Sequence, residues 1–249
     1  MAESDHSTSL TSIDPYDTFI PETTAMHRHR KKKMSKPIIL DQNTPSVQYL
    51  CKKDKRLAKL IQMAGPITYT THADRPFTFL VHEIIEQMLS VKAAKTISGR
   101  LEILCDGQIT PESILRLTDE QIRSAGTSNA KAQYIRNLAN ALTEGTLCFE
   151  ELTGLPDEEV IRRLTKLRGI GTWTAKMYLL FVLDRPDVLP VEDVAFLQVY
   201  RWLYKTEDCS GASVKAKCRK WKPYSSIAAR YFYHALDEGL TKEPFHLFK

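Results

Sequence analysis

The spacing of apolar residues along the chain indicates helices from about residue 45 onward. Within residues 45–64 apolar positions recur every three or four residues, the spacing of one helix face, and Gly65-Pro66 ends that segment. The same period predicts helices over residues 77–89, 91–105, 130–142, 156–167, 172–183, 192–204 and 225–236. Strand-like alternation is limited to residues 67–71, which have no obvious partner strand. We therefore predict an all-α fold.

Two short helices are predicted from local signals rather than from periodicity. Pro111 can occupy the first turn of a helix, where its missing N–H is not needed. Thr118 and Gln121 have the spacing of a capping box, in which the threonine hydroxyl caps an amide and the glutamine side chain returns to the threonine N–H. Both signals add helical turns between residues 105 and 130.

The composition is that of a folded chain with one polar tail. Of the 249 residues, 43% are hydrophobic, which is enough for one or two domains with a sizeable core. Residues 1–36 are rich in Ser, Thr and Asp and turn basic between His27 and Lys33, a composition that cannot form a core of its own. Three interpretations of the basic run stay open: a nonspecific phosphate contact, a nuclear import signal or a solvated segment. We predict a disordered tail at 1–36 and one domain at 37–249.

Charge, hydropathy and cysteine usage narrow the class of protein. Lys and Arg exceed Asp and Glu by 35 to 30, a mild excess that permits a polyanionic partner without demanding one. No apolar run approaches the ~18 residues of a membrane span, and the N-terminus has no secretory pattern. Five cysteines without CxxC spacing argue against a disulfide framework or zinc site. We expect an intracellular protein without a membrane partner, in the cytoplasm or nucleoid of a bacterium or the nucleus of a eukaryote.

A glycine-containing hairpin between two predicted helices is the first candidate binding site. Gly169 and Gly171 lack a Cβ, which lets the backbone adopt positive φ and approach a ligand closely. The second helix begins directly afterwards, so its first N–H groups face outward and can bind phosphate. Lys166, Arg168 and Lys176 add positive charge around the turn. An ordinary αα-hairpin with glycine at a helix C-cap is the alternative.

Asp193 is the candidate carboxylate. It closes the run Pro190-Val191-Glu192-Asp193, about twenty residues after the hairpin, and stands where the next helix opens. Taken alone, an aspartate at this position is more often a helix N-cap than a catalyst. The two roles can coincide, because a carboxylate held by the first amides of a helix can also face the hairpin.

Several segments taken together resemble one family of enzymes. The hairpin continues as WTAKMYLL over residues 173–180 and is followed by LPVEDV over 189–194, as in helix-hairpin-helix DNA glycosylases with a trailing Gly/Pro-rich loop and aspartate. Residues 87–94, 125–132 and 221–229 resemble the Q-x-x-S-x-x-A-A, G-x-S-x-x-K-A and W-x-P-Y/W-R-S-x-A-A patterns of the 3-methyladenine DNA glycosylase II, or alkylpurine, branch. The resemblance covers residues 45–240.

The resemblance implies a fold, a reaction and a site. Two lobes of packed helices would hold the active-site cleft between them and present the hairpin to double-stranded DNA that contains a damaged base. The damaged purine would be flipped into an aromatic pocket and its glycosidic bond hydrolysed, with Asp193 as the catalytic carboxylate. The implied pocket residues, each aromatic one with core packing as its alternative, are Gln87, Met88, Trp173, Tyr178, Trp221 and Tyr224. The implied DNA contacts are Ser128, Asn129, Lys131, Leu167, Arg168, Gly169, Ile170, Gly171, Thr172 and Thr174.

The resemblance also implies what the protein would lack. Trp173 stands where bifunctional relatives carry a nucleophilic lysine, and an indole cannot form an imine, so we expect no lyase activity. No metal or organic cofactor is expected, although hairpin carbonyls could hold an alkali-metal ion, and the protein is expected to be a monomer. Ser225 replaces the family's arginine, and Ser128-Asn129 give the loop expected to wedge into DNA a polar tip. The residue that fills the gap left by the flipped base stays undefined.

Two other classes of function remain as alternatives. A non-catalytic DNA-damage-binding protein of the same fold would need only the loss of the carboxylate, and the presence of Asp193 argues against it. A helical DNA-binding regulator would need a basic recognition helix, which the sequence lacks. The lesion itself stays open among 3-methyladenine, 7-methylguanine, ethenoadenine and hypoxanthine.

Overall fold

The computed structural model describes residues 36–248, and the predicted tail lies, apart from its last residue, outside that range. Helices dominate the described part of the chain, so the predicted all-α class is confirmed. The α-helices are α1 (Pro45–Lys53), α2 (Lys55–Ala64), α3 (Pro76–Glu86), α4 (Val91–Leu104), α5 (Pro111–Arg116), α6 (Asp119–Ser124), α7 (Asn129–Thr143), α8 (Phe149–Thr153), α9 (Asp157–Leu164), α10 (Thr172–Met177), α11 (Val194–Tyr204), α12 (Gly211–Cys218) and α13 (Ser225–Asp237).

Short elements complete the fold. A π-helical turn, Tyr178–Val182, continues α10, and two 3-10 turns lie at Arg219–Trp221 and Leu240–Lys242. Two strands, β1 (Ile38–Leu40) and β2 (Ile67–Tyr69), pair antiparallel. The pairing supplies the partner that the sequence did not reveal, because three residues beside a polar tail carry too little alternation to be recognised.

Local capping explains where several helices begin. The predicted segment 45–64 is two helices, because the Asp54 carboxylate accepts hydrogen bonds from the backbone N–H groups of Arg56 and Leu57 and starts α2. The capping box at Thr118 and Gln121 is present with both of its hydrogen bonds, so that prediction is confirmed. These caps fix the entry of each helix into the packed core.

The core is organised around α13 and α3. Helix α13 packs against α2 and α11, and most of its residues are buried, including Ala228, Ala229 and Phe232. Helix α3 contacts α4, α7 and α10, which joins the hairpin region to the helices that follow α3. Burial of this kind contributes ~25 cal/mol for each Å² of apolar surface removed from water, so the contacts stabilise the packing of α13 on α11 and of α10 on α3. The predicted division into two lobes stays a prediction.

Candidate active site

Asp193 lies at the N-cap of α11, as the sequence predicted. Its Oδ1 accepts a hydrogen bond from the backbone N–H of Phe196 at 2.6 Å. Its Oδ2 accepts one from the indole N–H of Trp173 at 2.6 Å. The residue is 7% exposed, so donors from two different elements hold a nearly buried carboxylate in one orientation.

Tyr233 of α13 is a third neighbour of this carboxylate. Burial raises the pKa of Tyr233 well above its ordinary value, and the negative charges of Asp193 and Glu83 raise it further. The hydroxyl therefore stays protonated, and it donates to Sδ of Met177 at 4.0 Å. Asp193 thus accepts hydrogen bonds from two N–H groups and has the protonated hydroxyl of Tyr233 close by.

Asp193 opens onto a cavity of about 700 Å³. Its aromatic and apolar lining includes Tyr69, Trp173, Met177, Phe181 and Tyr233. Carboxylates line it as well, namely Glu83, Glu86, Glu192, Asp193 and Asp237. The guanidinium of Arg230 also reaches the wall, but it lies 2.9 Å from Asp184 and 3.7 Å from the ring centroid of Tyr69, which offsets its charge. Aromatic walls with an excess of carboxylates suit a flat, positively charged ligand.

Three of the six predicted pocket residues line this cavity: Gln87, Met88 and Trp173. Gln87 donates from Nε2 to the backbone carbonyl of Gly169 at 2.9 Å, so it joins the cavity wall to the hairpin. Met88 lies at the rim with a fully exposed side chain and a left-handed backbone, φ 61°. Trp173 faces Asp193 with its N–H and the cavity with its ring.

The structure places the other three predicted pocket aromatics elsewhere. Tyr178 is buried and stacks on Phe149. Tyr224 packs edge-on against Tyr49. Trp221 is fully buried, and its indole donates to a carboxylate oxygen of the α2 cap at 3.1 Å. That carboxylate, Asp54, also accepts from Tyr204 and from the ammonium of Lys220, so the segment before α13 is anchored in the core and cannot reach the cavity.

The cavity residues of α13 come later in the helix than the sequence motif suggested. Arg230, Tyr233, His234 and Asp237 follow the spacing of one helix face and all line the cavity. This polar stripe on an otherwise apolar helix is the sequence pattern from which the four cavity residues of α13 could have been predicted. Tyr69 and His72 had no such signal, because they lie in and after a strand whose partner was not recognised.

The predicted hairpin is formed by α9, α10 and the turn between them. Gly169 has φ 102°, and a Cβ there would lie 2.2 Å from Cγ of Tyr134. Gly171 has φ −92° in the extended cap position of α10, and a Cβ there would have no atom of residues 36–248 within 4 Å. The prediction of positive φ therefore holds for Gly169 and is wrong for Gly171, whose missing Cβ leaves open space on the outer side of the turn.

The remaining predicted DNA contacts fall into two groups. One group is accessible to solvent: Ser128, Asn129, Arg168 and Thr172 are exposed, and Leu167 is half-buried. Ile170 is 4% exposed and Thr174 1% exposed, because both pack inward from the hairpin, so neither side chain faces solvent. Lys131 is tied down as well: its ammonium donates to the backbone carbonyls of Ile85 at 2.8 Å and Gln87 at 2.6 Å.

Lys176 also has a role that the sequence did not suggest. Its ammonium lies 2.7 Å from a carboxylate oxygen of Glu192 and 3.1 Å from the carbonyl of Leu189. These contacts join α10 to the loop that leads into Asp193. Lys176 thus fixes the position of that loop rather than adding free positive charge to the turn.

A glycine hairpin between two helices, beside a cavity with a capped carboxylate, is the arrangement of a helix-hairpin-helix protein with a ligand pocket. The chain belongs to the HhH-GPD superfamily of base excision DNA repair proteins, which it matches over residues 81–223. It is 36% identical over 154 residues to DNA-3-methyladenine glycosylase 1 of Schizosaccharomyces pombe, covering 61% of this chain and 67% of that one. It is 30% identical over 162 residues to the putative DNA-3-methyladenine glycosylase YfjP of Bacillus subtilis, spanning only 56% of that protein's length.

Solved structures share the fold. A DNA-3-methyladenine glycosidase from Bacillus halodurans matches with a TM-score of 0.73 and 37% identity, covering 84% of this chain and 97% of that one. The Schizosaccharomyces pombe 3-methyladenine DNA glycosylase in complex with abasic DNA matches with a TM-score of 0.69 and 30% identity, covering 76% and 95%. Both similarities extend over nearly the whole of the solved chains and over about three quarters or more of this chain.

Within residues 36–248, no helix has the length and apolar character of a membrane span. The same residues contain no group of three or more His, Cys, Asp or Glu side chains that could hold a metal ion.

Proposed function

We propose that this protein is a monofunctional DNA glycosylase that flips an alkylated purine out of duplex DNA and hydrolyses its N-glycosidic bond. The observation that carries the proposal is Asp193, a nearly buried carboxylate that opens onto an aromatic cavity. The names of the relatives and the abasic DNA bound to one solved relative support the same reaction. The protein would bind double-stranded DNA that contains a damaged base, in the compartment that holds the DNA. It would act as a monomer.

The cavity selects its base by charge and shape. Alkylation of a purine ring nitrogen makes the base cationic, and a cation over an aromatic face gains about 0.5–2 kcal/mol. Trp173, Phe181 and Tyr233 supply such faces, and the carboxylates around them add a negative potential. Flipping the nucleotide costs a few kcal/mol, which the cavity offsets best for a base that is already weakly paired or charged.

Asp193 acts on the sugar. A cationic purine is a good leaving group, so bond breaking leaves positive charge on the sugar and needs little acid catalysis. A carboxylate about 4 Å from that charge lowers its free energy by ~4 kcal/mol at an effective dielectric constant of 20. Trp173 and Phe196 hold the carboxylate through hydrogen bonds, and the carboxylate then also orients the water that completes hydrolysis.

Met88 is the candidate for the side chain that fills the gap left by the flipped nucleotide. It is an apolar residue at the cavity rim, and its side chain is exposed to water although such exposure does not stabilise the fold. Apolar side chains that enter DNA at kinked steps have this character. Ser128 and Asn129, the polar tip of the loop that the resemblance suggested as the wedge, are the N-cap and first residue of α7.

We propose that the protein has no lyase activity. Trp173 stands where a nucleophilic lysine would be required, and the ammonium of Lys176 nearby is engaged by Glu192. An alkali-metal ion at the hairpin remains a proposal as well. The carbonyls of Leu167 and Gly169 already accept one hydrogen bond each, from the N–H of Ile170 and from Gln87, and each retains a lone pair for a cation.

A lesion panel tests the proposal. Duplexes that carry 3-methyladenine, 7-methylguanine, ethenoadenine or hypoxanthine are incubated with the protein, and released bases and strand cuts are measured. We expect release of the cationic bases with an abasic strand that stays uncut until alkali is added. A borohydride-trapped covalent adduct would contradict the monofunctional assignment, and tight binding of the lesions without release would favour the damage-binding alternative.

A further inference from the structure

We propose that Lys131 is a positioning residue that holds the loop between α3 and α4 in the shape that presents Met88 to DNA. Its ammonium reaches from the first turn of α7 to two backbone carbonyls at the C-terminal end of α3, those of Ile85 and Gln87. This inference rests on the proposed function, since it concerns the side chain expected to enter the DNA.

The place of Lys131 in its own helix is unfavourable. It is the third residue of α7, where the partial positive charge of the helix N-terminus opposes a cation. Burial also lowers the pKa of Lys131, which means that removal from water disfavours its charged form. The carbonyls at the end of α3 offset both effects, because they lie at the negative end of a helix dipole. A lysine here therefore serves the contact with α3 rather than the stability of α7.

The loop that Lys131 holds is fixed from two sides. On one side the ammonium binds the carbonyl of Gln87, and on the other the Gln87 side chain donates to the carbonyl of Gly169 in the hairpin. Directly after Gln87, Met88 has the left-handed φ of 61°, which a residue with a Cβ adopts only when its surroundings impose it. Without the ammonium, this backbone is free to relax, and Met88 moves relative to the hairpin.

A phosphate contact is the other use that an ammonium near DNA could have. Two of its three N–H groups point to carbonyls, so the side chain is committed to the protein in the absence of DNA. Lys166, which flanks the hairpin, provides the matched comparison, because it is exposed and its ammonium binds no carbonyl among the described residues. The two uses predict different responses to the same Lys→Met substitution.

The experiment is a double-mutant cycle with Lys131→Met and Met88→Ala, with Lys166→Met as the matched control. Single-turnover release of 7-methylguanine from a duplex measures activity, and 2-aminopurine next to the lesion reports flipping without hydrolysis. Lys131→Met is expected to lower the release rate about 10- to 100-fold, as for misplacement by about 1 Å. In the Met88→Ala background it should lower the rate less than about twofold, because the two residues act together.

Affinity for undamaged duplex separates positioning from phosphate binding. Lys131→Met should leave the affinity and its salt dependence unchanged, whereas Lys166→Met should weaken binding and reduce the salt slope by about one. A lower slope for Lys131→Met, or additive effects with Met88→Ala, would overturn the inference. If Lys131→Met fails to fold, Lys131→Gln replaces it in the cycle, because its side chain is one bond shorter than that of lysine and carries no charge.

The inference and the proposed function fail in different ways. Wild-type protein that releases no base from any lesion would overturn the glycosylase proposal. The 2-aminopurine signal would still test Lys131, because a flipped base changes that emission whether or not hydrolysis follows. Loss of the flipping signal in Lys131→Met but not in Lys166→Met supports the inference, and equal signals in both variants contradict it.

Discussion

The two hairpin glycines should respond in opposite ways to the same substitution. In Gly169→Ala the new Cβ would lie 2.2 Å from Cγ and 2.4 Å from Cβ of Tyr134, at a φ of 102°. Overpacking and backbone strain cost ~1–3 kcal/mol each. For a chain of this length ~1 kcal/mol lowers the melting temperature by about 2–4 °C, so we expect a decrease of roughly 5–15 °C. In Gly171→Ala the Cβ meets no atom of the described part of the chain within 4 Å, and φ is −92°, so the melting temperature should stay within about 2 °C.

DNA affinity should show the reverse order. A Cβ at Gly171 occupies the open side of the turn, where a phosphate would approach the α10 N–H groups. Loss of one charge-assisted hydrogen bond costs ~1.5–3 kcal/mol, which weakens binding about tenfold or more. The loss should be equal for damaged and undamaged duplex, because phosphate contacts carry no lesion information. Melting temperature and fluorescence anisotropy are measured on the same preparations, and a folded Gly171→Ala or Gly171→Val protein with unchanged affinity would refute the assignment of this hairpin to DNA.

Three further predictions concern two carboxylates and one half-buried histidine, His82. Trp173→Phe removes a donor 2.6 Å from Asp193 and should lower single-turnover base release about 10- to 100-fold with little change in duplex affinity, since such a bond contributes ~1.5–3 kcal/mol; an unchanged rate would argue against this role of the indole. Burial alone would raise the pKa of Asp54, but hydrogen bonds from its side-chain donors outweigh it and lower the pKa. The stability that Asp54 contributes is thus present at neutral pH and lost as pH falls through its folded pKa, below 3.8, so melting curves of wild type and Asp54→Asn should converge in acid and differ at pH 7. Burial lowers the pKa of His82 to about 4 from 6.5, so on acidification the unfolded chain takes up a proton that the folded chain does not. Urea unfolding should show a stability loss of up to ~3 kcal/mol between pH 7 and pH 4 from this group, and His82→Leu should remove that part of the pH dependence; an identical pH dependence in His82→Leu would contradict it.

The sequence predicted the parts of the site that depend on local rules. The N-cap at Asp193 follows from residue type and position at the start of an apolar helix, and the structure has it there. The hairpin followed from glycines between two periodic segments, with Gly169 in the expected conformation. Such features are set by the backbone within a few residues, so they can be read without knowledge of the tertiary packing.

Features that depend on tertiary packing could not be predicted in the same way. Tyr178 and Trp221 are aromatic residues in suggestive motifs, but which side of a helix meets the cavity is decided by neighbours distant in sequence. The family resemblance implied that Lys131 contacts DNA. The carbonyls that its ammonium binds lie more than forty residues earlier in the chain, so the sequence alone could not reveal this contact. Tyr233 went unnoticed for the same reason, since its meeting with Asp193 requires α13 to pack against α11.

The central claim is that Asp193 stabilises the sugar cation, and one comparison tests it most directly. Asp193→Asn keeps the size of the side chain and an oxygen for the N–H of Phe196 but removes the negative charge. Asp106→Asn makes the same chemical change at an exposed carboxylate outside the cavity. Release of 7-methylguanine from a duplex is measured at saturating protein. The account predicts a loss of about 1,000-fold for Asp193→Asn, the equivalent of ~4 kcal/mol, with duplex affinity retained and Asp106→Asn unchanged. Wild-type rates in a folded Asp193→Asn protein would contradict it.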